Sequence, residues 1–180
     1  MIDGKTVLGV IPARGGSKRF PRKNLAHFKG LPLVVWAIRQ GEKSSYIDTL
    51  VCSTDDDEIE IMALMHGCKA LKRPAHLATD GASNEDVLRH ALAIYPADYV
   101  VLLQPTSPLR ATEDIDVCIN MCHVKHSPAV SYRPNLTKNG AIYVASAKWL
   151  DNHTFMDEHT SFIMADDRSL DVDYKEDVGL

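Results

Sequence analysis

The most constraining feature of the sequence is the alternation of short, continuous apolar runs with segments of helical pattern. The apolar runs cover residues 7–11, 49–53 and 99–103 and are rich in β-branched residues. A continuous apolar run is typical of a strand that is buried on both faces of a sheet. Strands that alternate with helices predict an α/β fold, in which a mostly parallel sheet is covered by helices on both sides.

Capping residues and helix breakers indicate where the helices begin and end. We predict helices over residues 31–43 (opened by Pro32), 56–66 (closed by Gly67), 83–95 (closed by Pro96) and 112–125 (capped by Thr112). Two later strands are predicted at residues 129–132 and 141–145, on either side of the turn-forming stretch RPNLTKNG. A chain of 180 residues is long enough for one well-packed core, so we expect a single domain over residues 1–180.

The stretch IPARGGSKRFPRKN, residues 11–24, places two glycines and five positive side chains directly after the first predicted strand. Ligands of open parallel sheets bind beyond the carboxyl ends of the strands. Glycines allow backbone N–H groups to approach an anion closely, so this loop predicts a polyphosphate site. Its spacing matches neither G-x-G-x-x-G nor G-x-x-x-x-G-K-[ST]. The alternative interpretation is a solvated basic turn.

Composition narrows the classes of partner. The net charge of −4 argues against a general nucleic-acid binder, so the basic cluster is expected to face a small anionic ligand. The sequence shows no apolar segment long enough to span a bilayer and no signal-peptide pattern, and we expect a cytoplasmic protein without a membrane partner. The four cysteines are expected to be reduced thiols.

Several motifs occur in one order along the chain. They are IPARGGSKRFPRKN, CSTDDDEI (52–59), KRPAHLATDGAS (72–83), LLQPTSPLR (102–110), NGAIYV (139–144) and SLDVDYKED (169–177). Together they resemble the CMP-sialic acid synthetases, that is, the acylneuraminate cytidylyltransferases and their relatives that act on legionaminic and pseudaminic acids. The resemblance spans almost the whole chain.

The resemblance implies a three-layer α/β/α Rossmann-like nucleotide-diphospho-sugar transferase fold. It also implies an enzyme that joins CTP and a nonulosonic acid to give a CMP-sugar and pyrophosphate, with Mg²⁺ as cofactor. Such a reaction gathers negative charge on the phosphates, and fixed cations with a divalent metal stabilise that charge.

The family's functional positions map onto this chain as follows. The catalytic residues implied are Arg14, Lys18, Lys23 and Asp173. The nucleotide-binding residues are Ala13, Arg14, Gly15, Gly16, Ser17, Lys18, Lys23, Asn24, Arg73, Ser83 and Asn84. The residues that face the sugar acid are Gln104, Ser107, Arg110 and Asn139. Asp171 and Asp173 match the metal-binding DxD motif, and alternation along a strand would place them on one face.

Several of these assignments have a structural alternative. The alternative interpretation of Asp171 and Asp173 is that they are surface acids in an acidic tail. The alternative interpretation of Ser83 is a helix cap, and that of Arg110 is a residue that holds a helix-to-strand corner. The stretch CINMCHVKH, residues 118–126, is not predicted to bind metal, because Cys118 and Cys122 have the spacing of a core-facing helical stripe.

The chain departs from the family pattern between the strand at residues 129–132 and Asn139. Only RPNLTK, residues 133–138, stands where family members have a longer excursion that builds the dimer and reaches the partner's sugar pocket. We therefore expect a monomer, or a dimer through another face. The alternatives for function are a cytidylyltransferase for another sugar acid, or a CTP-binding relative that is catalytically weak or inactive.

Overall fold

A seven-stranded sheet forms the centre of the fold, in a computed structural model that describes residues 1–179; Leu180, the last residue of the predicted domain, lies outside the described residues. The strands are β1 (Val7–Pro12), β2 (His27–Phe28), β3 (Leu31–Pro32), β4 (Thr49–Thr54), β5 (Lys69–Lys72), β6 (Tyr99–Leu103), β7 (Ala129–Tyr132), β8 (Lys138–Ser146) and β9 (Thr160–Ile163). The large sheet has the order β5-β4-β1-β6-β8-β7-β9, and β2 and β3 form a separate hairpin.

Most strand pairs of the large sheet are parallel, as the sequence predicts. β1 pairs in parallel with both β4 and β6, β4 with β5, and β7 with β9, whereas β8 runs antiparallel to β6 and β7. The two strands of the large sheet that sequence reasoning missed, β5 and β9, lie at its two edges. Their partly exposed residues interrupt the continuous apolar pattern that marks the central strands.

The helices are α1 (Leu33–Glu42), α2 (Asp57–Met65), α3 (Asn84–Ile94), α4 (Thr112–Lys125) and the short α5 (Ala147–Leu150). All four predicted helices are present, with two corrections at their starts. Leu31 and Pro32 pair with the β2 strand, so α1 begins two residues later than predicted. Thr112 does not cap α4: the carboxylate of Asp114 accepts the Ala111 N–H at 2.9 Å, and the Thr112 hydroxyl donates to the Gln40 carbonyl.

Alternate residues of each central strand face opposite helical layers. Val101 and Leu103 of β6 pack in the cluster that contains α1, α2 and α4, whereas Val100 and Leu102 pack in the cluster that contains α3 and α5. All four side chains are buried. The predicted three-layer α/β/α architecture is therefore confirmed. Cys118 and Cys122 lie in the first cluster as free thiols, as the helical stripe predicts, and burial raises the pKa of Cys122 to about 12.

The parallel strands β1, β4, β5 and β6 bring four loops to one edge of the sheet, because their carboxyl ends point the same way. The chain leaves β1 toward β4 and β5, on one side of β1 in the sheet, and it leaves β6 toward β7, β8 and β9, on the other side. The loops that follow β1 and β6 therefore run in opposite directions and leave a crevice between them. None of the helices within residues 1–179 combines the length and the apolar character needed to cross a bilayer.

Candidate active site

A cavity of about 400 Å³ opens at this edge of the sheet. It is lined by Arg14, Ser17, Lys18, Arg19, Phe20, Lys23, Asp80 and Asp173. The basic loop contributes most of these residues, and the acidic segment near the carboxyl end of the chain contributes Asp173. Two motifs that are about 150 residues apart therefore meet in one cavity, since the Lys23 ammonium lies 3.4 Å from the Asp173 carboxylate.

The basic loop is held in shape by hydrogen bonds to its own backbone. The Asn24 amide donates to the Arg14 carbonyl at 2.9 Å, and the Gly15 N–H donates to the Asp55 carboxylate at 3.0 Å. A Cβ atom at Gly15 would lie 2.5 Å from the Asp56 carboxylate, so only glycine fits there. The Asn24 amide and the Gly15 N–H, which belong to the predicted nucleotide-binding set, therefore fix the shape of the loop.

The Ala13 side chain is also fully buried, and its N–H donates to the Ser53 carbonyl, which extends the β1–β4 pairing. Arg22, which belongs to the same basic cluster in sequence, pairs with Asp56 and Glu58 at the start of α2. Four of the five cations of the cluster therefore line the cavity, and the fifth stabilises the negative charges at a helix amino end.

The cations of the cavity already have carboxylate partners. Asp80 pairs with both Arg14 and Lys18. Its hydrogen bond with Lys18, and to a smaller extent the one with Arg14, holds the pKa of the Asp80 carboxyl below its usual range. Lys23 is only 18% exposed and donates to the Val172 carbonyl at 3.1 Å as well as to Asp173. The loop is thus cross-linked to two other segments through its positive side chains.

The acidic segment reaches the cavity because of the valine between its two acids. Val172 is fully buried and packs with Phe20, Phe28 and Leu33, while its N–H donates to the Thr106 carbonyl at 2.8 Å. Residues 170–173 form neither helix nor strand, so the strand alternation predicted for Asp171 and Asp173 is wrong. The burial of Val172 sets the positions of both neighbours instead.

Asp171 and Asp173 are close enough to influence each other electrostatically. Burial raises the pKa of Asp171, the charge of Asp173 adds to that rise, and the nearby Lys23 and Arg133 oppose it. A divalent cation would relieve the repulsion between the two carboxylates. Among the described residues, no group of three or more His, Cys, Asp or Glu side chains is arranged to hold a metal. The pair fits Mg²⁺, which typically takes one or two carboxylates together with phosphate oxygens.

Arg73, Ser83 and Asn84 belong to the predicted nucleotide-binding set but are not among the residues that line this cavity. Arg73 is buried and donates to the hydroxyl and the carbonyl of Ser53 at 3.1 and 2.8 Å, and its burial lowers its pKa. Ser83 caps α3 by accepting the Asp86 N–H at 3.0 Å. The Gln104 amide donates to the Asn84 side chain at 3.4 Å, which brings the predicted nucleotide and sugar-acid regions into contact.

Three residues predicted to face the sugar acid are buried inside the protein. Arg110 is 2% exposed, and its guanidinium donates to the carbonyls of Gln104 and Ala141 and to the Gln40 side chain at 2.7–3.1 Å. Burial lowers its pKa to about 9. The alternative interpretation of Arg110, a residue that holds a structural corner, is the one that the structure supports. Ser107 is likewise buried, at the turn between Gln104 and Arg110.

The prediction that Asn139 faces the sugar acid is corrected for the same reason, since the side chain is buried. Its carbonyl oxygen accepts from the Ser131 hydroxyl at 2.6 Å and from the Ala141 N–H, and its amide donates to the Ser169 hydroxyl at 3.3 Å. Asn139 therefore ties β7 and β8 to the segment that leads into Asp171. Its hydrogen bonds stabilise the acidic segment, and its side chain is buried.

Sequence reasoning missed four residues that shape the site: Asp55, Asp80, Thr106 and Val172. Each lies within or next to a motif that was identified, but its role depends on a partner that is distant in sequence. For Val172 a signal was present, since an apolar residue between two acids is typical of a segment that is anchored through that residue.

The Rossmann-like α/β fold places a cationic cavity at the carboxyl ends of its strands, where folds of this class bind anionic ligands such as nucleotides. The chain belongs to the cytidylyltransferase family: the family model described as "Cytidylyltransferase" matches residues 8–175. The family suggested by the motifs is thereby confirmed.

Two curated relatives illustrate the similarity. The chain is 43% identical over 108 residues to the pseudaminic acid cytidylyltransferase of Campylobacter jejuni, a match that covers 57% of this chain and 47% of the relative. It is 31% identical over 213 residues to the CMP-N,N'-diacetyllegionaminic acid synthase of Legionella pneumophila, which covers 93% and 90%. This second alignment is longer than the chain itself, so the relative has residues that this chain lacks.

The N-acylneuraminate cytidylyltransferase of Escherichia coli is 29% identical over 213 residues, covering 97% of this chain and 51% of the relative. The matches thus span about half the length of the C. jejuni and E. coli relatives. Among solved structures, CMP:2-keto-3-deoxy-manno-octonic acid synthetase complexed with CTP has a TM-score of 0.72 at 18% identity, with 89% and 90% of the two chains covered. This likeness concerns the fold.

Proposed function

We propose that the protein transfers CMP from CTP to a sialic-acid-like nonulosonic acid and releases pyrophosphate. The observation that carries the proposal is the convergence of Arg14, Lys18, Lys23 and Asp173 on one cavity at the carboxyl edge of the sheet. The names of the C. jejuni, L. pneumophila and E. coli relatives, which are cytidylyltransferases or CMP-sugar synthases of this class, support it.

The cations of the cavity have the chemistry that this reaction needs. The oxygen of the anomeric hydroxyl attacks the α-phosphorus and a new O–P bond forms. The proton of the hydroxyl passes to solvent, and the bond from the α-phosphorus to the oxygen that bridges it to the β-phosphate breaks. Negative charge then develops on the leaving pyrophosphate. Arg14 and Lys18 lie in a part of the cavity where they are able to bind and stabilise these oxygens, and Lys23 adds a third positive charge.

A divalent cation, Mg²⁺ in our proposal, fits the pair Asp171 and Asp173. When bound, it would neutralise part of the charge on the phosphates. The two carboxylates would hold it together with phosphate oxygens of CTP, because the described part of the chain places no third His, Cys, Asp or Glu ligand beside them. The contact with the Lys23 ammonium holds the Asp173 carboxylate at the cavity, whose lining includes both residues.

The acceptor is expected to bind near Gln104. Of the four residues predicted to face the sugar acid, Gln104 is the one that is not buried, and its amide contacts the Asn84 side chain of the predicted nucleotide-binding set. Pseudaminic acid is the first acceptor to test, because the C. jejuni relative is named for it. The decisive experiment measures pyrophosphate release from CTP and Mg²⁺ with pseudaminic, legionaminic, sialic and Kdo acids in turn. Binding of CTP without release for any acid would favour a non-catalytic, nucleotide-binding protein.

Lys23→Ala is expected to weaken CTP and pyrophosphate binding about tenfold to hundredfold, since it removes a charge-assisted contact to phosphate. The variant also loses the hydrogen bond to the Val172 carbonyl, so a small loss of stability is expected. Calorimetric titration and thermal melting separate the two effects. Lys148→Ala, at an exposed position of α5, is the matched control. A large drop in melting temperature with unchanged CTP affinity would contradict the assignment.

Residues 133–138 form a tight connection in which the Arg133 N–H donates to the Thr137 carbonyl at 2.8 Å. So few polar residues cannot supply the roughly 2,000 Å² that an obligate dimer typically buries. We expect a monomer, or a dimer through another face, and a Michaelis constant raised more for the sugar acid than for CTP. Light scattering and steady-state kinetics test both parts. A tight dimer centred on this connection, or a low acceptor Michaelis constant, would argue against the proposal.

A further inference from the structure

The carboxylate of Asp80 occupies the two cations that the proposed reaction assigns to polyphosphate. One of its oxygens contacts the Arg14 guanidinium and the other contacts the Lys18 ammonium. A carboxylate that bridges an arginine and a lysine makes the same charge-assisted contacts as two oxygens of a phosphate group. The donors of Arg14 and Lys18 that contact Asp80 are not available to a polyphosphate at the same time, and the Asp80 charge repels that ligand. Asp80 therefore competes with the ligand for this part of the cavity.

The segment that carries Asp80 is weakly attached to the rest of the protein. It connects β5 to α3, and its backbone hydrogen bonds are local, such as Leu77 N–H to Pro74 carbonyl and Ala82 N–H to Thr79 carbonyl at 3.4 Å. The Asp80 side chain is 43% exposed. Segments with few buried apolar contacts and only local hydrogen bonds open at low free-energy cost.

A second cavity, of about 490 Å³, is lined in part by other residues of the same segment. It is lined by His76, Leu77, Thr79, Gly81, Ala82, Asp86, Arg89 and His90. The segment between residues 76 and 82 thus borders both cavities, and its exposed position gives it room to move out of the cationic cavity. Moving it in that direction would withdraw the Asp80 carboxylate from both Arg14 and Lys18.

We propose that Asp80 is an exchangeable occupant of the polyphosphate position: it is displaced when CTP binds and returns to Arg14 and Lys18 as pyrophosphate leaves. The exchange breaks no covalent bond, since one anion replaces another on the same two cations. Asp80 lowers the affinity of the site for CTP and for pyrophosphate alike, and it favours release of the product. The inference rests on the proposed function only in taking Arg14 and Lys18 as phosphate ligands.

The test is the affinity of Asp80→Asn for inorganic pyrophosphate and for CTP, by calorimetric titration without metal and with Mg²⁺. The amide keeps the shape of the side chain and removes its charge, so binding is expected to be roughly threefold to tenfold tighter. Asp57→Asn is the matched control, because Asp57 is an exposed acid that pairs with Lys72 away from the cavity. Removing that charge should leave both affinities unchanged.

A double-mutant cycle separates competition from a merely structural role. In a Lys18→Ala background, half of the contact with Asp80 is already lost, so Asp80→Asn should bring a smaller gain in pyrophosphate affinity. Unchanged or weaker binding by Asp80→Asn would overturn the proposal, and weaker binding only with Mg²⁺ would make Asp80 a metal ligand instead. If no sugar acid supports turnover but Asp80→Asn binds pyrophosphate more tightly, the proposed function fails and this inference stands. If neither protein binds pyrophosphate, both fail.

Discussion

Asp173→Asn is expected to reduce Mg²⁺-dependent pyrophosphate release by about a thousandfold, because a metal ligand contributes several kcal/mol to stabilisation of phosphate charge. The amide keeps the size of the carboxylate but loses the charge that a hard cation requires. The fold should be retained, since Asp173 is half-exposed and the neighbouring Val172 anchors the segment in the core. Metal-free CTP affinity should be equal or slightly higher, because one negative charge leaves the cavity.

Two measurements distinguish this result from general damage to the site. Calorimetric titration of CTP with and without Mg²⁺ should show a metal-dependent gain in affinity for the wild-type protein and little gain for Asp173→Asn. Asp167→Asn serves as the control, because Asp167 is an exposed acid of the same acidic stretch that does not line the cavity. Wild-type rates together with a wild-type response to Mg²⁺ in Asp173→Asn would eliminate the metal assignment.

Arg110→Ala is expected to lower the free energy of unfolding by about 3–5 kcal/mol, the range for removing one partner of a buried charged contact. The guanidinium joins the turn after β6 to β8 through the Ala141 carbonyl and to α1 through Gln40. Alanine would remove all of these hydrogen bonds, would leave the buried Gln40 side-chain oxygen without its Arg110 donor, and would leave a cavity in place of the guanidinium. Urea denaturation followed by circular dichroism measures the change.

Arg39→Ala removes a guanidinium from an exposed position of α1 and should change stability by less than about 1 kcal/mol. If Arg110→Ala does not fold, Arg110→Met keeps most of the side-chain volume and should be destabilised less. The competing interpretation of Arg110, pairing with the sugar-acid carboxylate, makes the opposite prediction. A nearly unchanged stability with a selective rise in the acceptor Michaelis constant would restore that interpretation.

The positions of the central strands and of α4 could be predicted from the sequence because they depend on local patterns. The run at residues 99–103 is apolar throughout since both of its faces are covered, and β6 has these bounds in the structure. The edge strands β5 and β9 could not be predicted, because half of their residues face solvent and their pairing depends on distant partners. The start of α1 shifted for a different reason, because Leu31 and Pro32 form a short local hairpin with β2 and do not begin the helix.

The sequence by itself determined the family, the fold class and the identity of the cations that line the cavity. These properties reside in contiguous motifs, and the Arg14 to Lys23 loop follows a strand whose carboxyl end must face the ligand. Only the tertiary structure decided which polar side chains face that cavity and which hold the protein together. Arg110 and Asn139 lie in recognisable motifs, yet packing buries both, whereas Asp80 contacts Arg14 and Lys18 from a segment more than 60 residues away. The direction of a side chain depends on long-range contacts, and those contacts leave no local pattern in the sequence.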